Sequence, residues 1–352
     1  MKIGIIGDIH WCQYSSIIRK RGEKYSLRLE NCIKSINWAE ELTQKLGCEF
    51  NVYLGDFFDK PDLNSEEISA LKEIKWNELD KYFLVGNHEM STNDLKINSS
   101  NIFELLDSYL NATETKKPLH VIDKPYPIGI GLDTHVCFLP YILETNRKEL
   151  ITYIPDKVKT FKNILFMHND IKGIQMGTFV SQQGFSIEEI ESNFNLCING
   201  HLHNGSKITD KIFNVGNLTG QNFSENARKY DHVIFILDTN TLSIDVYENP
   251  FAFNFYKEDW VEGIPFNNDF KNNSVLTVQT SGDTYEESKT FIENNKNIIE
   301  SRILLKPTLK EENLDVYEDL SIDHYKAFEE YVFQNISADN IAKEEIDNIL
   351  EK

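Results

Sequence analysis

The sequence predicts an α/β (α+β) protein built as a two-sheet αβ sandwich, and three observations carry that reading. Five apolar, strand-like runs each stop in Asp, Asn or His. They are Ile3 to Gly7 before Asp8-Ile9-His10, Val52 to Gly55 before Asp56, and Tyr82 to Val85 before Gly86-Asn87-His88-Glu89, then Ile164 to Met167 before His168 and Leu196 to Gly200 before His201-Leu202-His203. Helical periods fall between the early runs, the βαβ alternation of a mainly parallel layer covered by helices. From Lys211 onward short β runs alternate with turn residues, which predicts a second, more antiparallel sheet.

Taken in order, the first strand is followed by a helix from about Ser26 to Leu46, with Leu29, Cys32, Ile33, Ile36, Ala39, Leu42 and Leu46 on one face and a stop at Gly47. Ser65 opens a second helix, whose Glu66 and Glu67 suit the positive end of its dipole. A helix at about Asn101 to Leu110 gives way to short strands near His120 to Ile122 and His135 to Leu139. Later β runs are Ile212 to Val215, His232 to Leu237 and Leu242 to Tyr247, and the sandwich ends near Pro250. Asn249 to Asn273 reads as a linker packed on the surface. A strand, helix, strand unit follows (Ser274 to Gln279, Tyr285 to Asn297, Ser301 to Leu305), closed by Pro307. The last stretch places Tyr325, Phe328, Tyr331 and Val332, then Ile341, Ile346, Ile349 and Leu350, at helical spacing on two acidic helices. Three parts are therefore expected: 1–255, 256–308 and 309–352.

Composition narrows the class. With 352 residues, 40% apolar and 26% charged, the chain reads as an ordinary globular protein long enough for a large core and an appended unit. No apolar run approaches the roughly 20 residues of a membrane helix. The opening MKIGIIGD runs straight into a strand and reads as part of the fold, not as a signal peptide. Five cysteines (Cys12, Cys32, Cys48, Cys137, Cys197), odd in number and without CxxC, argue against a disulfide framework and fit core residues in a reducing cytoplasm. The net charge of -20 disfavours nucleic acid, since phosphate neutralisation needs Lys and Arg. Part of it sits in the tail, where 309–352 holds four Lys against thirteen Asp or Glu. The basic stretches are short: Arg19-Lys20-Arg21 with Lys24, expected to flank the site, then Lys116-Lys117 and Arg147-Lys148.

Gathered together, the strand-end loops offer Asp8, His10, Asp56, Asn87, His168, His201 and His203. Singly, such residues cap turns or pack; jointly, two carboxylates, an amide and four imidazoles make a two-metal set. Mixed N and O ligands suit Mn²⁺, Fe²⁺ or Zn²⁺ better than Mg²⁺ or Ca²⁺. A carboxylate must bridge ions roughly 3.5 to 4 Å apart, and Asp56 is the expected bridge. In His201-Leu202-His203, residues i and i+2 of an extended segment point to one side, so both can reach the cluster.

The motifs Gly7-Asp8-Ile9-His10, Gly55-Asp56-Phe57-Phe58-Asp59, Gly86-Asn87-His88-Glu89, His168 and Gly200-His201-Leu202-His203 resemble, in order, those of the calcineurin-like metallophosphoesterases. Within them the chain looks like the SbcD-type DNA repair nucleases, most closely the small nuclease subunits of tailed-phage recombination endonucleases. Thr92-Asn93 with Ser99-Ser100, Val121-Ile122-Asp123-Lys124-Pro125, Phe138-Leu139-Pro140-Tyr141, Asn214-Val215-Gly216-Asn217 and Glu248-Asn249-Pro250 extend the likeness across most of 1–255.

The resemblance implies a DNA exonuclease and endonuclease acting in repair, recombination or replication with two divalent ions, Mn²⁺ first among the candidates. Asp8, His10, Asp56 and His203 would hold one ion, and Asp56, Asn87, His168 and His201 the other. His88 would be the general acid toward the leaving 3′ oxygen. The family usually carries Asp where Glu89 stands; a carboxylate there orients the catalytic imidazole, and Glu89 is expected to do so with altered geometry. The resemblance also implies a DNA-binding capping unit at 256–308. It implies an acidic tail that binds an SbcC-type coiled-coil ABC ATPase, and a homodimer within a heterotetramer, the helix from Ser26 to Leu46 being one candidate for the dimer contact. Ser/Thr protein phosphatases share Gly-Asn-His-Glu but carry Arg after the second-motif Asp, where this chain has Lys60-Pro61 after Asp59. The rival readings are a stand-alone phosphodiesterase or phosphatase for a nucleotide or small ester, and an inactive binding scaffold.

Overall fold

In the computed structural model, the strands preceding Asp8, Asp56 and Asn87 are neighbours. β1 (Lys2–Ile6), β2 (Phe50–Tyr53), β3 (Asp80–Leu84) and β4 (Leu119–Ile122) run parallel in that order, so their carboxyl ends open on one edge. The structure describes residues 1–91, 101–103, 119–131, 133–153, 162–176, 179–262, 264 and 266–306. Thr92-Asn93, Ser99-Ser100, the expected helix beyond residue 103, Lys116-Lys117 and the acidic tail 309–352 lie outside the described residues.

Helix α1 (Leu27–Lys45) begins where the Ser26 hydroxyl accepts from the Leu29 N–H at 3.2 Å and stops before Gly47, whose φ of 72° is left-handed. Helix α2 (Ser65–Leu71) starts from a reciprocal cap between Asn64 and Glu67. Leu29, Cys32, Ile36 and Ala39 of α1 and Ala70 and Leu71 of α2 bury against Ile6, Tyr53 and Phe83 of the sheet. Only Lys34, Glu41, Gln44 and Lys45 of α1 are exposed. Ile33, Trp38 and Leu42 of α1 are half-buried against the same core.

The second sheet takes β5 (Tyr126–Ile130), β6 (Thr134–Leu139) and β7 (Lys162–Met167) into register with β12 (Leu196–Asn199). β14 (Ile212–Asn214) runs parallel to β12, and β13 (Ser206–Lys207) turns back on β14. Between β7 and helix α3 (Ile187–Asn193), four two-residue strands make two small ribbons. They are β8 (Ile171–Lys172), β9 (Gln175–Met176), β10 (Phe179–Val180) and β11 (Phe185–Ser186). Strand periodicity divides the side chains: Ile164, Phe166 and Ile198 face Ile3, Ile5, Val52 and Leu84 of the first sheet, while Leu165, Met167 and Cys197 face Phe185, Ile190 and Phe194. The layers are thus helix, sheet, sheet, helix.

Two expectations need correction. The β runs after Lys211 do not form the second sheet alone. β15 (Val233–Asp238) returns to pair antiparallel with β1, and β16 (Ser243–Glu248) pairs antiparallel with β15, so both complete the first sheet. Hairpin periodicity revealed the antiparallel pair but not the neighbour it joins. Nor is 249–273 a surface linker. β17 (Asn254–Asp259) pairs parallel with β18 (Ser274–Thr280), which pairs parallel with β19 (Ile298–Leu305) after helix α4 (Tyr285–Asn294). Phe253 and Phe255 pack on Ile18, and the buried Asn254 amide donates to the carbonyls of Ala252 and Asn272. That local pairing lets a polar residue sit inside. Residues 1–306 form one compact unit that includes this small sheet.

Candidate metal centre

The loops that leave β1, β2 and β12 hold their ligand-bearing residues in left-handed backbone: His10 at φ 50°, Asp56 at 46° and His201 at 70°. Such a conformation costs a residue with a side chain roughly 1–2 kcal/mol. Neighbouring glycines let the loops close. A Cβ on Gly55, itself at φ 99°, would lie 2.4 Å from His168 Nδ1, and one on Gly86 would lie 2.2 Å from Asp56 Oδ1.

The seven side chains singled out from the sequence converge. Ligand-capable atoms gather in three overlapping groups: Asp8, His10 and His203; His10, Asp56 and His88; and Asp56, His168 and His201. His10 Nε2 faces His203 Nε2 at 3.1 Å, and His168 Nε2 faces His201 Nδ1 at 3.2 Å. Asn87 Oδ1 completes the second group, 3.2 Å from His168 Nε2 and 3.1 Å from His201 Nδ1. Two nitrogens bound at right angles to one ion about 2.1 Å away would lie about 3.0 Å apart, so both nitrogen pairs have the spacing of shared ligands. Asp8 Oδ2 is buried with no hydrogen-bond partner among the described residues, as an acceptor reserved for a cation would be. The donor set fits two divalent ions.

Three of the four imidazoles are aimed by a partner on the other nitrogen. His168 Nδ1 donates to the Leu54 carbonyl at 2.7 Å, His201 Nε2 to Asp170 Oδ1 at 3.3 Å, and His203 Nδ1 to Glu225 Oε1 at 3.1 Å. The His201 imidazole beside Asp170 holds that carboxyl below its ordinary value. Burial pushes Glu225 up, but His203 outweighs it and the carboxyl is lowered. Burial also opposes ionisation of Asp56, yet His168, His10 and His88 around it hold it well below the usual carboxylate range. The buried Arg28 guanidinium donates to the carbonyls of Ile9, His10 and Gly220 and to the Thr219 hydroxyl, fixing the first loop.

His88 and Glu89 do not act as the pair expected. His88 Nδ1 donates to the Asp59 backbone carbonyl at 2.7 Å. The Glu89 carboxylate, fully buried, instead accepts three backbone N–H groups: Gly86 at 2.6 Å, Phe58 at 3.0 Å and Asp56 at 3.2 Å. It ties the Asp56 loop to the Asn87 loop, and the additional methylene of Glu gives it that reach. Burial, with the Asp56 carboxylate nearby, pushes Glu89 up to about 8.

The basic loop after His10 is also spent on internal pairs. Arg21 binds Glu66, Lys24 binds Glu73, and Lys20 caps the Ile299 carbonyl. Asp59, Asp170, Glu225 and Arg28 were not foreseen as supporting groups. Asp170 sits two residues after His168 and Asp59 three after Asp56, a visible signal; Glu225 and Arg28 are brought in only by tertiary structure.

Residues 1–205 match the family profile of the calcineurin-like phosphoesterases. Among solved structures, the crystal structure of a dimetal phosphatase from Danio rerio aligns at 12% identity over 67% of this chain and 91% of that chain, with a TM-score of 0.38. No curated protein matches the sequence significantly. The profile covers more than half of the residues and contains every one of the converging ligand positions: this chain belongs to the calcineurin-like phosphoesterase family.

Proposed function

We propose that the protein is a two-metal phosphodiesterase that cleaves DNA as exonuclease and endonuclease, the nuclease subunit of an SbcCD-like repair and recombination complex. The observation that carries the chemistry is Asp56, whose Oδ2 lies 3.2 Å from His168 Nε2 and 3.9 Å from His10 Nε2 and so reaches toward both ligand groups. Asp8, His10, Asp56 and His203 are assigned to one ion, and Asp56, Asn87, His168 and His201 to the other; Mn²⁺ is proposed on the nuclease resemblance, and Fe²⁺ or Zn²⁺ also suits the mixed set. Bound ions supply charge neutralisation at the scissile phosphate and acidify the attacking water. With Nδ1–H tied to the Asp59 carbonyl, His88 keeps Nε2 for the proton that the leaving 3′ oxygen takes up.

Support for DNA comes from the nuclease-like segments across 1–255 and from the appended three-stranded sheet, which a small-ester hydrolase does not require. The acidic amphipathic tail supports an SbcC-type ATPase as partner, within a heterotetramer built on a homodimer. Mn²⁺-dependent hydrolysis of linear double-stranded DNA and of bis-p-nitrophenyl phosphate, by wild type and His88→Ala, tests the enzyme reading. DNA cleavage lost in the variant is the expected result. Equal ATPase binding by the full chain and a protein truncated after Lys306 would refute the role of the tail.

A stand-alone phosphodiesterase for a nucleotide or small ester is the second reading. It is favoured by the internal pairing of Arg21 and Lys24, which removes cations from the site's flank. Hydrolysis of the small ester with DNA untouched, even beside an ATPase partner, would select it.

A further inference from the structure

A cleft of about 740 Å³ opens over the centre, with Asp56, Asn87, His88, His201 and His203 among its lining. Its other lining residues include Ser224, Asn226, Lys229 and Tyr230 from the segment around Glu225. In a chain of net charge -20, this lining contains, among the described residues, no carboxylate other than Asp56 and, histidines aside, a single cation, Lys229. Lys229 is exposed and forms no ion pair among the described residues, unlike Arg21, Lys24 and Lys271, whose heads are all neutralised. Tyr230 beside it is half-buried.

The turn that carries them is held rigidly. The Asn226 carbonyl accepts from the N–H groups of both Lys229 and Tyr230, at 2.8 and 3.1 Å, and the Ala227 N–H donates to Phe255 of β17. Arg228, between them, is fixed to the small sheet and the loop beside it. Its guanidinium donates to Glu258 Oε1 at 2.9 Å and to the Asp269 carbonyl at 2.7 Å, and lies over the rings of Tyr256 and Phe270. The appended sheet therefore buttresses a turn whose next two side chains line the cleft.

We propose that turn 226–230 is the substrate-positioning wall of the cleft, with Lys229 pairing a phosphate next to the scissile one and Tyr230 stacking on a nucleobase. This rests on the nuclease reading above and names the substrate groups that the site holds: a diester flanked by a further phosphate and a base. One lysine and one aromatic face match a strand of nucleotides, whose charge and bases alternate.

The test uses the full chain with Mn²⁺, a fluorescein-labelled single-stranded oligonucleotide and bis-p-nitrophenyl phosphate. Lys229→Ala is expected to lower kcat/KM for the oligonucleotide about tenfold relative to that for the ester, mainly through KM, and Lys229→Arg to restore it. In a His88→Ala background, where turnover is blocked, anisotropy should show log Kd against log salt made shallower by about 0.7 in Lys229→Ala, the loss of one phosphate contact on a single strand. Tyr230→Ala should weaken binding about tenfold while Tyr230→Phe does not. If wild type cleaves the oligonucleotide and these variants leave the kinetic ratio and the salt slope unmoved, the wall is refuted while the nuclease reading stands. If wild type hydrolyses the ester but neither binds nor cleaves the oligonucleotide, both fall.

Discussion

Replacing Glu89 by Gln isolates the role that the structure gives this carboxylate. Oε2 accepts from Gly86 and Asp56, and Oε1 from Phe58. An amide must turn its NH₂ toward one of these sides, and the cheaper orientation faces the Phe58 N–H, setting donor against donor. One hydrogen bond is lost and a buried donor is stranded, which costs about 2–3 kcal/mol. For a unit of this size that corresponds to a fall in Tm of roughly 3–5 °C. The cost falls beside Asp56, whose left-handed backbone is held by the N–H bond to Glu89, so the carboxylate proposed as the bridge loses its placement and Mn²⁺ affinity should drop about 10- to 100-fold. Differential scanning fluorimetry with and without Mn²⁺, together with metal analysis after dialysis, reads both effects. If Glu89→Gln keeps wild-type Tm and metal content while kcat collapses, Glu89 acts on the chemistry itself, and the bracing argument is wrong.

Three further outcomes follow from the same geometry. Glu225→Gln and Asp170→Asn should weaken different ions, the first the one assigned to His203 and the second the one assigned to His201; calorimetric Mn²⁺ titration should show each variant losing about 10- to 100-fold at one site only. Chelation should lower Tm, because bound ions stabilise the folded state alone, and a Tm unchanged by EDTA after full metal loading would contradict the assigned ligand set. All five cysteines are buried and free, and burial pushes Cys12 and Cys137 up to about 12 and Cys48 to about 11. None should react with Ellman's reagent at pH 8 until the chain is unfolded. Because these folded-state values are raised, their contribution to stability is complete below about pH 9 and is lost as pH climbs through 11 to 12. Denaturant midpoints at pH 8 and 10.5 check the sign.

The centre was legible because each ligand sits where an apolar run stops. The first sheet's parallel half was legible for the same reason. What escaped was contact between segments distant in the chain. β15 looks like any hairpin strand, and its antiparallel pairing with β1 is a contact between the two ends of the domain that no local pattern announces. β17 was hidden because the buried Asn254 breaks the apolar pattern and is satisfied by carbonyls that sequence cannot place. Glu89 was assigned to the wrong neighbour: a motif gives spacing along the chain, whereas the choice between an imidazole and three backbone N–H groups depends on one methylene of reach.

The positive φ at His10, Asp56 and His201 bears on how this protein can be engineered. Glycine would relax the backbone at each of those positions, so a screen that rewards heat resistance alone would favour changes that erase the centre. Thermostabilised variants should be selected with Mn²⁺ loading as a second criterion, since the sturdiest descendants of this chain would otherwise be the inert ones.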